Sequence, residues 1–148
     1  MANTTFEGPL IARQGFRDGR SNGLVPQTIR RRFTIAEINA GAVLVTAVPD
    51  YGFRMLGCRA IAIGGAVGAT TTVDVSGTAT TGRKLVAYAQ ASLTQSTVLT
   101  DGGSGATVLA DGASYTKNDN NTSISVGKTG ASLTTATHVD IIFTYVAE

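Results

Sequence analysis

The chain has 148 residues and a mass of 15.2 kDa, the size of one ordinary domain, which argues against a two-domain enzyme with an interdomain cleft. Only 15% of the residues are charged, and the net charge is +2. Glycine, alanine and threonine are abundant and helix-forming residues are scarce, so a helical bundle is excluded. No apolar run is long enough to span a membrane, and the single cysteine, Cys58, cannot form an internal disulfide.

The first 32 residues differ in charge and composition from the rest. They carry six arginines against two acidic residues, and glycine or proline recurs every few positions, which interrupts any helix or strand. We therefore predict an extended basic arm over residues 1–32 and a domain over 33–148. Large apolar side chains spread along the arm indicate that it lies on a surface, either its own domain or a neighbouring subunit. The predicted contact residues are Phe6, Leu10, Arg13, Phe16, Arg17, Arg20, Arg30, Arg31 and Arg32.

Strand signals follow from Phe33 to the C-terminus. The predicted strands are 51–63 with a bulge at Gly57, 73–75, 84–91, 98–99, 107–110, 122–126 and 138–146. Residues 33–38 fit both a capped helical turn, with Thr34 and Glu37 at capping-box spacing, and an alternating strand, which we favour. Eight or nine short strands separated by turns predict an all-β sandwich, specifically a jelly roll of about eight strands.

The last predicted strand is apolar on both faces, which indicates a central or doubly covered position. Because small side chains dominate the sequence, the domain is expected to bury modest apolar area by itself and to gain stability by association. We predict a homo-oligomer with Ile142, Tyr145 and Val146 at its interface. The alternative is a monomer whose second sheet face is polar.

Sequence patterns for catalysis, cofactors and metals are weak. Gly127-Lys128-Thr129 lacks the earlier glycine of a phosphate-binding loop, and the glycines at 64–68 lack dinucleotide spacing and predict a hairpin tip. His138 is the sole histidine, so neither a hydrolytic triad nor a transition-metal site is expected. The residues 117–121 predict a polar turn rather than a calcium loop. We predict no catalytic residue, no cofactor and no metal.

Six segments carry a resemblance to a known family. They are FEGP at 6–9, RQGF at 13–16, FTIAEINAG at 33–41, AVP at 47–49, LADG at 109–112 and TATHVD at 135–140. With them the chain resembles the small head decoration, or cement, proteins of tailed bacteriophages. The resemblance implies a non-enzymatic β-rich domain that sits on the outer capsid surface as a trimer or dimer and clamps neighbouring shell subunits together.

The expected partners are therefore the major capsid protein and further copies of this chain, a trimer being favoured over a dimer. Residues 30–32 could instead contact nucleic acid or form a solvated hinge, but the slightly acidic remainder lacks interleaved aromatic and basic residues, so no nucleic-acid partner is predicted. No membrane partner is predicted either. Because Met1 to Phe16 lack a secretion-signal pattern, we expect synthesis in the host cytoplasm and a final location in the virion.

Two other functions remain as alternatives. The first is a receptor- or glycan-binding domain of a phage fibre, tail or neck, which the absence of tryptophan disfavours. The second is a small enzyme with acidic residues at a subunit junction, for which Asp74, Asp101 and Asp140 are the candidates.

Overall fold

The computed structural model describes residues 25–77 and 83–148. In these two ranges the chain forms nine strands, one short α-helix and one 3₁₀ segment. The predicted arm contacts from Phe6 to Arg20 lie outside the described residues. In chain order the elements are β1 (Gln27–Thr34), α1 (Ile35–Ala40), β2 (Ala42–Val45), β3 (Phe53–Ile63), β4 (Thr70–Gly77), β5 (Lys84–Ala89), β6 (Leu99–Thr100), β7 (Ala106–Val108), the 3₁₀ segment (Ala110–Tyr115), β8 (Ile124–Gly130) and β9 (His138–Ala147).

The strands form two antiparallel sheets that share one hydrophobic core. One sheet has the order β1-β9-β3-β6 and the other the order β2-β8-β4-β5-β7. Side chains from both sheets meet in the core, among them Phe143 of β9 and Tyr88 of β5, which are fully buried. The all-β prediction is confirmed.

Strand β9 lies inside its sheet, as its two apolar faces predicted. It pairs with β1 along residues 27–34 and with β3 along most of residues 53–63. Val139, Ile141 and Phe143 point into the core and are fully buried. A strand hydrogen-bonded on both edges and apolar on the inner face anchors this sheet.

The predicted bulge in the long strand is also confirmed. The register between β3 and β9 shifts between Met55 and Gly57, so Leu56 is the extra residue of the bulge and remains 43% exposed. Beyond the bulge Cys58 faces the core and Arg59 faces outward. The bulge therefore sets which side chains of β3 reach the outer surface.

The predicted boundary between arm and domain at residue 32 is wrong. Residues 27–34 form strand β1, which pairs with β9 over its whole length. The strand alternates Ile29, Arg31 and Phe33 with Arg30 and Arg32, but three consecutive arginines obscure this pattern in the sequence. Residues 27–32 therefore belong to the domain and not to an extended arm.

Residues after Thr34 form helix α1 rather than the favoured strand. The Thr34 hydroxyl accepts a hydrogen bond from the Glu37 backbone N–H, and the Thr34 N–H donates to the Glu37 carboxylate at 2.8 Å. The hydrogen bond from the Thr34 N–H, followed by one from the Thr34 hydroxyl, lowers the pKa of Glu37 because both favour the charged carboxylate. The capping box decides the conformation because it satisfies two backbone donors that a strand edge would leave to water.

Thr34→Ala is expected to lower the free energy of unfolding by about 1 kcal/mol, because the helix loses its N-cap acceptor. Thr34→Ser keeps a hydroxyl and should retain most of the stability. Urea denaturation followed by circular dichroism measures both variants. Equal stability of the alanine variant and the wild type would show that the cap contributes nothing.

One predicted loop differs from the structure, and one rejected phosphate loop lies in a strand. The segment around Gly64 joins β3 to β4, which lie in different sheets, so it is a crossover and not a hairpin tip. Val67 of this crossover is fully buried and packs in the hydrophobic core. Gly127, Lys128 and Thr129 lie inside β8 and have no loop geometry for a phosphate.

Candidate functional site: the arginine face

The outer surface of the β1-β9-β3-β6 sheet carries four arginines, and we call it the arginine face. Its members are Arg30 and Arg32 on β1 and Arg54 and Arg59 on β3. The register places Ile142 of β9 between Arg30 and Arg59. Alternation along each strand brings these side chains to the face opposite the core.

Asp140 of β9 pairs with both arginines of β1. Its Oδ2 lies 2.6 Å from Arg30 Nη2, and its Oδ1 lies 2.6 Å from Arg32 Nε. The Asp140 side chain is only 1% exposed, whereas Arg30 and Arg32 are 65% and 52% exposed. The hydrogen bond from Arg32 and then the one from Arg30 lower the pKa of Asp140 to about 2, against the opposing effect of its burial.

Arg31 points away from this face, so the three consecutive arginines do not act as one basic run. Its guanidinium lies 4.5 Å from the centroid of the Phe33 ring. It also donates to the Val43 carbonyl at 2.5 Å and to Glu37 at 3.3 Å. Arg31 therefore fastens β1 to α1 and β2, in contrast to its predicted role on a partner surface.

The two arginines of β3 differ in their pairing. Arg54 lies against Glu148 near the C-terminus, with Nε 2.9 Å from Oε1 and Nη2 donating to Oε2 at 3.2 Å. Arg59 is exposed, and its side chain makes no hydrogen bond or ion pair with any residue in 25–77 or 83–148. It is thus an arginine of the face without a counter-charge in contact.

A groove of about 520 Å³ opens beside Arg59. Its walls combine hydroxyl, apolar and charged groups from all four strands of the sheet and the turn after β6. The lining residues are Thr28, Leu56, Gly57, Cys58, Arg59, Thr100, Asp101, Ile142 and Thr144. The Thr28 and Thr144 hydroxyls lie 2.9 Å apart and hydrogen-bond each other across β1 and β9.

Asp101 is the acidic residue of the groove wall, and the fold uses both of its carboxylate oxygens. Oδ1 accepts from the Cys58 backbone N–H at 2.8 Å, and Oδ2 accepts from the Tyr115 hydroxyl at 2.6 Å. The hydrogen bond to Asp101 raises the pKa of Tyr115 to about 12. Asp101 therefore holds the turn after β6 against β3.

Cys58 contributes to the groove wall but is itself buried, with 1% exposure. Burial raises the pKa of its thiol to about 12. The neighbouring Tyr88 hydroxyl also has a raised pKa, mainly because it is desolvated. A thiol that stays protonated at neutral pH is a poor nucleophile, so Cys58 acts as a small buried hydrophobe.

The predicted oligomer residues on β9 have different environments. Tyr145 and Val146 are 7% and 3% exposed within the single chain, so they offer little area to a second copy. Tyr145 is packed against Phe53 and Phe143, with ring centroids 5.4 Å and 5.6 Å away. Ile142 alone reaches the outer surface, where it lies on the arginine face.

The candidate acidic residues for catalysis are engaged within the fold. Asp74 is 3% exposed and accepts from the hydroxyls of Thr72 and Thr129, with Lys84 Nζ 3.1 Å away. Asp101 and Asp140 have the contacts given above. In the described ranges, no group of three or more histidine, cysteine or acidic side chains is arranged to hold a metal ion.

The predicted polar turn at 117–121 has a structural role at Asn118. The buried Asn118 side chain accepts a hydrogen bond from the Phe53 N–H and donates to the Thr122 hydroxyl at 3.0 Å. Its backbone N–H donates to the Phe53 carbonyl. The turn therefore closes the open edge of β3.

Arg59 and Leu56 are not among the site residues predicted from the sequence. Both lie within the predicted strand 51–63. The available signal is that a charged residue in an otherwise apolar strand occupies the outward position. Which neighbours would share that surface depends on the pairing of β3 with β9, which the sequence does not reveal.

Comparison with protein-family models, curated proteins and solved structures finds no match to this chain. In the part of the chain that the structure describes, helices are too short to cross a membrane.

Proposed function

We propose that the protein is a non-enzymatic structural component of a phage virion that binds the outer capsid surface and bridges neighbouring shell subunits. Residues before β1 form the gripping arm in this proposal, and the arginine face provides a second contact. The partner is the major capsid protein, and the chain acts as a homo-oligomer, with a trimer favoured over a dimer.

The arginine face is the observation that carries the proposal. It combines exposed arginines with the apolar side chains of Leu56 and Ile142 on a sheet surface. Arginines among apolar groups are typical of protein-binding surfaces, in which charged residues other than arginine are depleted. Strand β1 is the edge strand of its sheet, so a preceding arm would leave the domain beside the arginine face.

The strand order supports a jelly-roll assignment. If the three-residue strand β7 is set aside and the other eight strands are renumbered, the sheets become 1-8-3-6 and 2-7-4-5. This order supports the proposal of an eight-stranded jelly roll, an architecture of viral capsid and lectin domains. Because such a fold serves several functions, the functional argument depends on the surface.

Association into several copies would strengthen a weak surface contact. When one copy is bound, the others face the shell at a high effective concentration. A gripping arm and a moderately charged face can therefore hold a shell without tight binding by either one. Since Tyr145 and Val146 are buried, the interface between copies must use other residues.

Removal of residues 2–24 retains β1 and is expected to lower the occupancy of capsid shells at least about tenfold, because one of two linked contacts is lost. The measurement is co-sedimentation with emptied shells of the phage that encodes the chain. The thermal unfolding midpoint of the truncated protein serves as the folding control and should not change. If the full chain does not co-sediment, the capsid function is wrong; if the truncated chain binds fully, the arm has no part in it.

A further inference from the structure

We propose that the groove beside Arg59 binds a carboxylate side chain of a partner protein, with an apolar side chain of that partner resting on Leu56 and Ile142. This inference rests on the proposed function, in that it assumes a protein partner. It identifies the chemistry that the arginine face recognises.

The pairing pattern of the face singles out Arg59. Arg30 and Arg32 share the carboxylate of Asp140, and Arg54 lies against Glu148. Arg59 has no carboxylate within 4.0 Å in the described ranges. A guanidinium can bind a carboxylate through two parallel N–H···O bonds, so a partner glutamate or aspartate supplies what this position lacks.

Nearby hydroxyls can complete the coordination of a carboxylate. Thr100 is the direct cross-strand neighbour of Arg59 on β6, and Thr28 and Thr144 line the other side of the groove. The Asp101 carboxylate makes no ion pair with Arg59, and its two oxygens accept from Cys58 and Tyr115 instead. The Arg59 head group is therefore available in the folded chain.

The apolar part of the site flanks the arginine. Ile142 lies directly opposite Arg59 in the pairing of β3 with β9. Leu56, the extra residue of the bulge, is one of three exposed large hydrophobic residues in the described ranges and also lines the groove. Apolar contacts around the ion pair would exclude water and strengthen it.

Two other occupants fit less well. A second copy docking through the same face would bring the exposed arginines of one copy near those of the other, and like charges oppose such pairing. A nucleic acid would favour several free cations and aromatic rings for stacking. The face offers one unpaired arginine, and the groove lining contains no aromatic residue.

The test titrates the full ¹⁵N-labelled chain with the capped peptide Leu-Glu-Leu and with its neutral match Leu-Gln-Leu. We expect the Glu peptide to shift the amide signals of Gly57, Arg59, Thr100 and Thr144, and the Gln peptide to bind about tenfold more weakly because it lacks the charge. Arg59→Leu should abolish the difference between the peptides. Arg83→Leu removes an arginine outside the groove and should leave it unchanged.

The competing outcomes are distinct. Equal binding of the two peptides, no shift at millimolar Glu peptide, or a preference that survives Arg59→Leu would overturn the proposal. Stronger shifts of the same amides by a single-stranded oligonucleotide would replace the protein partner with a nucleic acid. The peptide titration contains no capsid, so it tests the carboxylate site independently of the capsid function. If the peptide binds as expected but the chain does not co-sediment with shells, the capsid function is wrong and the carboxylate site is retained.

Discussion

Tyr145→Ala is expected to lower the free energy of unfolding by about 3–5 kcal/mol, the usual cost of removing a buried aromatic side chain. The ring is 7% exposed and packs edge-on against Phe53 and stacks on Phe143. Alanine leaves a cavity at the meeting point of β3 and β9, the two strands with the most extensive pairing in the sheet. Urea denaturation monitored by fluorescence and circular dichroism measures the loss.

Tyr145→Phe is the matched control. It keeps the ring and removes only the hydrogen bond from the hydroxyl to Gln27 Oε1 at 3.1 Å, so a loss of at most about 1.5 kcal/mol is expected. The experiment also separates a core role from an interface role. If Tyr145 lies between copies, the loss in the alanine variant will depend on protein concentration; if it lies in the core of one chain, it will not.

The strands and their core-facing sides could be predicted from the alternation of apolar residues along the sequence. In β9, apolar residues at every second position mark the core face, and apolar residues on the other face indicate a strand with neighbours on both sides. In β3, Gly57 marks the bulge because glycine in a strand interior is typical of one. These local signals specify strands and their inner faces, and the structure confirms them.

The sequence predictions are wrong where one segment fits two local patterns, or where the outcome depends on which strands pair. Residues 33–38 satisfy both the strand and the helix pattern, and the capping box between Thr34 and Glu37 decides for the helix. The sequence predicts Arg30 and Arg32 on a partner surface, but both pair with Asp140 of β9, which lies opposite Arg32 and two residues from the position opposite Arg30. The ion pairs and the groove depend on contacts across more than a hundred residues of sequence, which no local pattern contains.

The same limit applies to the candidate site. The sequence predicted separate surfaces, with Arg30 and Arg32 on a partner protein and Ile142 between copies. The pairing of β1 with β9 places all three on one face. Separate roles for these residues would require two interfaces to share one sheet surface. The peptide titration and the solution mass of the protein therefore have to be interpreted together.

Asp140→Asn is expected to lower the free energy of unfolding by about 2 kcal/mol at pH 7. The pKa of Asp140 is lowered from 3.8 to about 2 in the folded chain, and each unit of lowering corresponds to about 1.4 kcal/mol. The carboxylate is buried and ties two arginines of β1 to β9, so its loss loosens the edge strand of the sheet. Glu148→Gln, which disturbs the partly exposed pair with Arg54, should cost less than about 1 kcal/mol.

The lowered pKa of Asp140 predicts how the difference in stability between the two proteins changes with pH. Because the folded pKa lies below the unfolded one, the stabilisation is complete above about pH 4 and is lost as the pH falls through about 2. The asparagine variant carries no proton to exchange at this position, so the gap in stability between it and the wild type should narrow over that interval. Thermal unfolding of both proteins from pH 7 to pH 2 measures the gap. If the difference in stability stays constant with pH, the negative charge of Asp140 does not stabilise β1. Its hydrogen bonds would then contribute equally in the protonated and ionised forms.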